Sequence, residues 1–335
     1  MDWKERITAL AGAAGVSGLT DALDAAEKML APLGEITRDG MGGLFCKIGT
    51  GARRILLDAH VDEIGLLVTA VDGNFLRVAK CGGVDPRTLV NQEVVVHGKR
   101  DLFGVFASIP PHLKKESDEA PKLEDMLIDC GYEHEELEKL VTPGDRVSFA
   151  ATPVPMLNGR ITGKSLDNRA GVAVLIDAAS RLADRDDVTL IVSLSAQEEL
   201  GCRGAKTAAF AWDPEEAIVV DVSFGDGPDV NPRECGKVGG GVMIGVSPVL
   251  NEQATKRLIQ FAEEGGISYQ LEVMGGATGT NADPISVSRS GVPTVLLSIP
   301  LRNMHTACEL IDSADLQATS DLIVAYIEKG GADRA

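Results

Sequence analysis

Residues 55–63 read Ile-Leu-Leu-Asp-Ala-His-Val-Asp-Glu, an apolar run that passes directly into acidic residues and a histidine. Further runs rich in Val, Ile and Leu lie at residues 188–194, 217–220 and 292–299. Short apolar runs are typical of buried strands in a mostly parallel sheet when helical patterns separate them. Helical patterns lie at about residues 21–33, 168–183, 251–264 and 313–329. The alternation predicts an α/β fold with a helix-covered mixed, mostly parallel sheet.

The segment between residues 67 and 153 has a different pattern, with short alternating strands and frequent glycine and proline. Residues 75–78 and 93–97 are examples of such alternating segments. This pattern predicts a small all-β domain inserted into the α/β domain. We therefore assign residues 1–66 and 154–335 to the α/β domain and residues 67–153 to the insert. A chain of 335 residues agrees with about two domains.

The chain is acidic, with 32 Lys and Arg against 50 Asp and Glu and a formal charge of -18. This balance argues against nucleic acid or an anionic membrane as a main partner, since both attract clustered cations. The acid-rich stretch at residues 114–139 is expected to form a solvated face. The six cysteines form no C-x-x-C pair, which favours reduced thiols. The first residues lack the apolar core of a signal peptide, and we expect a cytoplasmic protein.

Residues that can bind metal ions follow the predicted strands. In open α/β sheets, ligands bind beyond the carboxyl ends of the strands, so we expect these side chains to gather there. The candidates are His60, Asp167, Glu198, Glu199, Asp221 and His305. Each has an ordinary alternative: Asp167 could cap the helix that follows it, and the adjacent glutamates could be a solvated pair at a helix start. Taken together, the residue types favour a metal site.

The candidate set suits a pair of divalent ions such as zinc, cobalt or manganese. Two metal ions about 3.5–4 Å apart can activate water and polarise a carbonyl group, which are the two requirements for hydrolysing an amide. One carboxylate must stay unligated to move protons. The adjacent Glu198 and Glu199 allow that division, one carboxylate binding metal and the other facing water. Asp62 could accept the second N–H of the His60 ring and fix its tautomer.

Several motifs resemble the tetrahedral, dodecameric co-catalytic metallo-aminopeptidases, the group that contains glutamyl and leucyl aminopeptidases. The resemblance covers nearly the whole chain, with motifs in order and at matching spacings. They are Asp-Ala-His-Val-Asp-Glu-Ile-Gly at 58–65, Lys-Ser-Leu-Asp-Asn-Arg at 164–169, Ala-Gln-Glu-Glu-Leu-Gly at 196–201, Val-Asp-Val at 220–222 and Ser-Ile-Pro-Leu-Arg-Asn-Met-His-Thr at 298–306. In the insert, residues 109–113 and 129–131 also resemble this group.

The resemblance implies a zinc-peptidase-like fold and a role for each candidate. His60 and Asp221 would hold one metal, Glu199 and His305 would hold the other, and Asp167 would bridge them. Glu198 would be the general base and acid.

The resemblance also implies an assembly. The insert at residues 67–153 would be a β-barrel-like dimerisation domain, and dimers could form a hollow shell of twelve subunits that admits short peptides. This chain departs from many relatives in one segment, where Thr280-Asn281-Ala282 replaces Thr-Asp-Ala. The lost negative charge is expected to affect recognition of the substrate amine, whereas the five proposed metal ligands are unaltered.

These observations predict a metal-dependent aminopeptidase that hydrolyses N-terminal residues from short peptides. One alternative is a related two-metal dipeptidase or N-acyl deacylase, which would use the same chemistry on another amide; activity on a blocked N-terminus would favour it. A glycosidase is a more distant alternative, because some members of the resembled group have been labelled as cellulases. Its carboxylate pair would act on a sugar and would need no metal. A scaffold without activity is a further one. The native metal and the preferred N-terminal side chain stay open, since pocket walls and metal supply are not readable from spacing.

Overall fold

The computed structural model of the chain describes residues 2–108, 112, 120–228 and 230–330. Most of the motif at residues 109–113 and the start of the acid-rich stretch therefore lie outside the described residues.

The described residues form eight α-helices and seventeen strands, with short 3₁₀ turns at Pro86–Thr88, Leu123–Asp125 and Leu157–Gly159. The helices are α1 Trp3–Ala11, α2 Asp21–Leu30, α3 His134–Leu140, α4 Leu166–Leu182, α5 Arg203–Trp212, α6 Glu252–Gly265, α7 Ala282–Ser286 and α8 Ser313–Glu328. The strands of the first half are β1 Glu35–Arg38, β2 Leu44–Ile48, β3 Arg53–His60, β4 Gly65–Asp72, β5 Phe75–Cys81, β6 Glu93–His97, β7 Asp101–Phe106, β8 Ile128–Asp129 and β9 Arg146–Phe149. Those of the second half are β10 Val154–Pro155, β11 Arg160–Gly163, β12 Val188–Ser195, β13 Glu216–Phe224, β14 Val242–Val246, β15 Tyr269–Val273, β16 Thr294–Leu301 and β17 Glu309–Asp312.

An eight-stranded mixed sheet is the centre of the molecule, in the order β1-β2-β12-β3-β13-β16-β14-β15. The four apolar runs predicted as strands are the neighbours β12, β3, β13 and β16, and these pair in parallel. Antiparallel pairing is found at β1–β2, β2–β12 and β14–β16. The predicted α/β class with a mostly parallel sheet is confirmed. The parallel arrangement brings the carboxyl ends of four strands to one edge.

Helices cover both faces of this sheet, which explains why its strands are apolar without alternation. On β3, Ile55 and Leu57 face the larger core with α4 and α8, while Leu56 faces a second core with α5 and α7. All three side chains are fully buried. Burying a side chain of this size contributes about 1.5–3 kcal/mol. Because α4 is surrounded by the sheet and other helices, nearly all of its side chains are buried and its position is tightly fixed.

Strands β4 to β9 close into a barrel in the order β4-β5-β8-β7-β6-β9. The alternation seen in the sequence matches its two sides: Leu102 and Phe106 on β7 are buried inside, whereas Phe103 between them is exposed. The barrel lies in the chain between β3 and β10, and its first strand begins at Gly65. The division at residues 67 and 153 and the dimerisation role stay predictions.

A small sheet of β10, β11 and β17 lies beside the main one, and β17 pairs antiparallel with β11. In this pairing Glu309 lies opposite Gly163, close to the start of α4. No helix in the described part of the chain is long and apolar enough to span a membrane.

Candidate metal centre

The predicted site residues lie along one edge of the main sheet. His60 is the last residue of β3, and the loop after β12 carries Glu198 and Glu199. His305 lies four residues beyond the end of β16. Asp221 differs from the prediction, because β13 continues past it to Phe224 and its side chain projects from within the strand. These positions follow from the parallel order of the strands, since parallel strands end at the same edge.

Asp167 lies between the two histidines. Its Oδ1 is 3.1 Å from His60 Nε2 and its Oδ2 is 3.3 Å from His305 Nε2. The residue is almost fully buried, and its backbone dihedrals are not helical although it stands at the start of α4. The capping role belongs to the next residue, since Asn168 Oδ1 accepts a hydrogen bond from the backbone N–H of Gly171 at 3.0 Å. The Asp167 carboxylate is therefore free to face both histidines.

Three groups of side chains bring potential ligand atoms within 4.8 Å of one another. They are His60 with Asp167 and Asp221, Asp167 with Glu199 and His305, and His60 with Glu198 and Glu199. Asp167 is shared by the first two groups, so the described residues form two adjacent clusters. Mixed imidazole and carboxylate ligands of this kind suit zinc and related divalent ions.

Asp62 holds the two adjacent glutamates by their backbone. Its carboxylate accepts the N–H of Glu198 at 3.0 Å and the N–H of Glu199 at 3.3 Å. The Nδ1–H of His60 donates to the Asp62 carbonyl oxygen at 3.1 Å, whereas the carboxylate is 3.6 Å away. The carbonyl group is therefore the nearer acceptor, and the ring presents Nε2 to Asp167. The catalytic role of Asp62 stays a prediction.

A turn of the barrel orients His305. The Nδ1–H of this residue donates to the carbonyl oxygen of Gly83 at 3.2 Å, so that Nε2 faces Asp167 and Glu199. A Cβ atom at Gly83 would lie 2.5 Å from His305 Nδ1, and one at Gly82 would lie 3.2 Å from a Glu199 oxygen. From the sequence, Gly82 and Gly83 could be interpreted only as turn residues. Nothing in the pattern indicated that this turn contacts a metal-ligand candidate.

The pKa values of the site residues indicate that the site favours bound protons or metal cations. Contacts with Asp167 and Glu199 raise the pKa of His305 to about 11. Burial opposes protonation of His60, yet Asp167 and the neighbouring acids raise its pKa well above the usual value. Burial also raises the pKa values of Glu199 and Asp221, while the two histidines hold that of Asp167 below its usual value despite its burial. The protons that these groups retain are those that a metal ion would displace.

One buried atom supports a metal ligand in the second cluster. Glu199 Oε1 is buried and has no hydrogen-bond partner among the described residues, although His305 Nε2 is 3.4 Å away. A buried carboxylate oxygen without a partner is costly unless a cation satisfies it. The residues present therefore fit a divalent ion.

Asn281 does not line the site, although the sequence had suggested a place close to the substrate amine. Its side chain is 1% exposed, and its Nδ2 donates to Asp58 Oδ2 and to Ser195 Oγ, both at 2.8 Å. Burial raises the pKa of Asp58 to about 6. Because the Asn281 amide is buried against Asp58 and Ser195, it cannot contact a substrate amine directly.

The sequence analysis did not identify two further residues that contact the site. Cys202 donates its thiol to Glu198 Oε1 at 3.2 Å, and burial together with the Glu198 charge raises the pKa of this thiol. Glu309 accepts hydrogen bonds from the backbone of two ligand candidates. Both lie four residues from a predicted site residue in the sequence, but their types alone did not separate them from ordinary loop residues.

An α/β sheet that gathers carboxylates and histidines at one edge is suited to bind metal ions, and hydrolases use such sites to activate water. Residues 42–322 match the M42 glutamyl aminopeptidase family, and the chain belongs to this family. It is therefore a peptide hydrolase, as the sequence predicted.

Individual relatives agree with this assignment. The chain is 33% identical over 305 residues to the lysyl aminopeptidase of Pyrococcus furiosus, covering 88% of this chain and 87% of that protein. Aminopeptidase APDkam598 from Desulfurococcus kamchatkensis has a similar structure, with a TM-score of 0.92, 33% identity and coverage of 98% and 95%. The TET1 peptidase of Pyrococcus horikoshii, which can assemble into a tetrahedron or a large octahedral shell, matches with a TM-score of 0.85, 33% identity and coverage of 96% and 98%. The aminopeptidase activity predicted from the sequence has the same support.

Proposed function

We propose that this chain is a two-metal aminopeptidase that releases N-terminal residues from short peptides. The observation that carries the proposal is the position of Asp167, whose two carboxylate oxygens each face a different histidine. A carboxylate in this position can bridge two ions, and each ion would find further ligands in its own cluster.

The first ion would be held by His60 and Asp221, the second by Glu199 and His305, with Asp167 shared. His60 Nε2 is 3.7 Å from Asp221 Oδ1, and His305 Nε2 is 3.4 Å from Glu199 Oε1. When bound, the ions supply Lewis acidity for the scissile carbonyl and lower the pKa of a coordinated water. Zinc, cobalt and manganese all fit this ligand set.

Glu198 would transfer the protons. It would take a proton from the attacking water and deliver it to the leaving amine, as general base and then general acid. Asp62 holds its backbone N–H, and Cys202 donates to one of its carboxylate oxygens. The carboxylate is therefore oriented, although Glu198 belongs to neither of the two clusters that share Asp167. General acid–base catalysis contributes about 10²–10⁴-fold to the rate.

The surplus of negative charge favours a substrate with a free amine. With the histidines neutral, two divalent ions bound and all six carboxylates of the site ionised, the negative charges exceed the metal charges by about two, and an ammonium group would reduce the imbalance. These carboxylates are Asp62, Asp167, Glu198, Glu199, Asp221 and Glu309. This argument favours an aminopeptidase over an N-acyl deacylase, whose substrate lacks the ammonium group.

Replacing Glu198 with Gln tests the division of roles. The variant should lose at least 100-fold in kcat on an aminoacyl-anilide while binding the same number of metal ions as the wild type, measured by elemental analysis after dialysis. Loss of metal from this variant would show that Glu198 is a ligand and that the proposed roles are wrong. Glu199→Gln serves as the comparison, because it should lose metal as well as activity.

We further propose that the enzyme acts in the cytosol as a homo-oligomer, with the insert predicted at residues 67–153, which contains most of the barrel, as the dimerisation domain. The TET1 peptidase of Pyrococcus horikoshii can assemble into a tetrahedron or a large octahedral shell, and all six cysteines of this chain are free. Light scattering coupled to size-exclusion chromatography tests the assembly. A mass of twelve subunits would support the shell, a dimer would support only the barrel interface, and a monomer would contradict both.

A further inference from the structure

Glu309 is a buried carboxylate with a specific pair of partners. It stands at the first position of β17 and is 2% exposed. Its Oε1 accepts the backbone N–H of His305 at 2.8 Å, and its Oε2 accepts the backbone N–H of Asp167 at 3.0 Å. Each oxygen of one side chain therefore holds the main chain of a different ligand candidate.

These two backbone groups need such a partner. Asp167 has φ -79° and ψ 105°, outside the helical region, and His305 has φ 61°, in the left-handed region. In neither conformation does the N–H enter a helix or strand ladder, and a buried N–H without a partner is costly. Glu309 supplies both acceptors at once and connects segments that are far apart in the chain.

Glu309 forms no ion pair with a Lys or Arg among the described residues. Lys164, which interacts with it electrostatically, is instead paired with Glu63 at 2.8 Å. A buried carboxylate in such surroundings is stabilised by hydrogen bonds to the charged group and by nearby cations. Metal ions next to Asp167 and His305 would add the missing positive charge.

We propose that Glu309 is a positioning residue that sets the distance between Asp167 and His305 for metal binding. The inference rests on the proposed two-metal function, and it concerns the second cluster of Asp167, Glu199 and His305. Residues that orient metal ligands without touching the metal typically change metal affinity or activity by 10–100-fold when they are replaced. The same magnitude is expected for Glu309.

The test is metal binding by the full-length, metal-free protein. Glu309→Gln keeps the size of the side chain but replaces one acceptor with a donor, so one of the two N–H groups loses its partner. Isothermal titration with Zn²⁺ should give a second-site dissociation constant 10–100-fold above wild type. The absorption bands of bound Co²⁺ should also shift, because they report ligand geometry.

A matched control is available in Asp315. This residue is also fully buried, and its carboxylate also accepts two backbone N–H groups, from Gly239 and Gly241, both at 2.7 Å. Asp315→Asn makes the same chemical change outside the three groups of metal-ligand candidates. It should lower the thermal stability while leaving the Zn²⁺ dissociation constants within about threefold of wild type, which separates positioning from general stabilisation.

The outcomes separate this inference from the proposed function. Two ions bound by the wild type with unchanged affinity in Glu309→Gln would overturn the positioning role alone. Equal losses of affinity in Glu309→Gln and Asp315→Asn would also overturn it, whereas a wild type that binds no metal would overturn the proposed function. If Glu309→Gln does not fold, Glu309→Asp retains the charge but has a shorter reach. Wild-type affinity in that variant would contradict the need for both contacts.

Discussion

Replacing Gly83 with Ala tests whether the barrel contributes to the active site. The added Cβ would lie 2.5 Å from His305 Nδ1 and 2.7 Å from its Cε1. The ring must retreat by about 0.9 Å to reach an ordinary contact of 3.4 Å, and its 3.2 Å hydrogen bond to the Gly83 carbonyl group would weaken. Misplacement of about 1 Å can reduce a rate by about 100-fold, equivalent to about 2.7 kcal/mol in activation free energy.

The assay compares kcat and KM on an aminoacyl-anilide, bound metal and the melting temperature. His305 has 32% of its side chain exposed, so the ring can move towards solvent and the fold should survive with little change in melting temperature. Gly275→Ala is a suitable control, because a Cβ there meets nothing within 4 Å and its φ is not positive. Activity of Gly83→Ala within about twofold of the control would refute the reasoning.

Two further predictions concern stability and thiol reactivity. Glu63→Gln should destabilise the fold by about 3 kcal/mol in urea unfolding, because it leaves the buried Lys164 ammonium without its 2.8 Å ion pair. Burial alone would raise the pKa of Glu63, but the charges of Lys164 and Arg169 hold it below its usual value of 4.5. The stabilising contribution is therefore present above about pH 4.5 and is lost as the pH falls through the lower folded-state pKa, so equal stability of variant and wild type at neutral pH would contradict it. Iodoacetamide at about pH 8 should label the exposed Cys308 before Cys46, whose pKa burial raises to about 11, and equal labelling rates by mass spectrometry would contradict this.

The sheet and its edge could be predicted from the sequence because burial on both faces leaves a direct signal. The run at residues 55–57 is apolar at every position, since successive side chains enter different cores. The parallel order then places the residues after each run at one edge, which is why the strand pattern was enough to predict that His60, Glu199, Asp221 and His305 gather in one crevice. The same logic applies to the barrel, where one buried and one exposed side produce alternation.

Contacts that depend on backbone direction could not be predicted. The sequence named Asp167 as a metal-ligand candidate but left helix capping open as the alternative, and only the direction of the main chain shows that Asn168 caps while Asp167 faces the histidines. Asn281 was expected near a substrate amine, yet α7 directs it into the sheet against Asp58. The contact of Gly83 with His305 joins a turn of the barrel to the loop after β16, and no local sequence pattern indicates it.

The most direct test of the account is hydrolysis of free-amine aminoacyl-anilides and their N-acetylated forms, with chelator and after adding Zn²⁺ or Co²⁺. The account predicts cleavage of the free-amine forms alone, its loss with chelator and its return with metal. Cleavage of acetylated forms would indicate a deacylase. Activity that persists after complete metal removal, or no cleavage by the metal-loaded protein across a panel of acidic, basic and apolar side chains, would contradict the two-metal aminopeptidase.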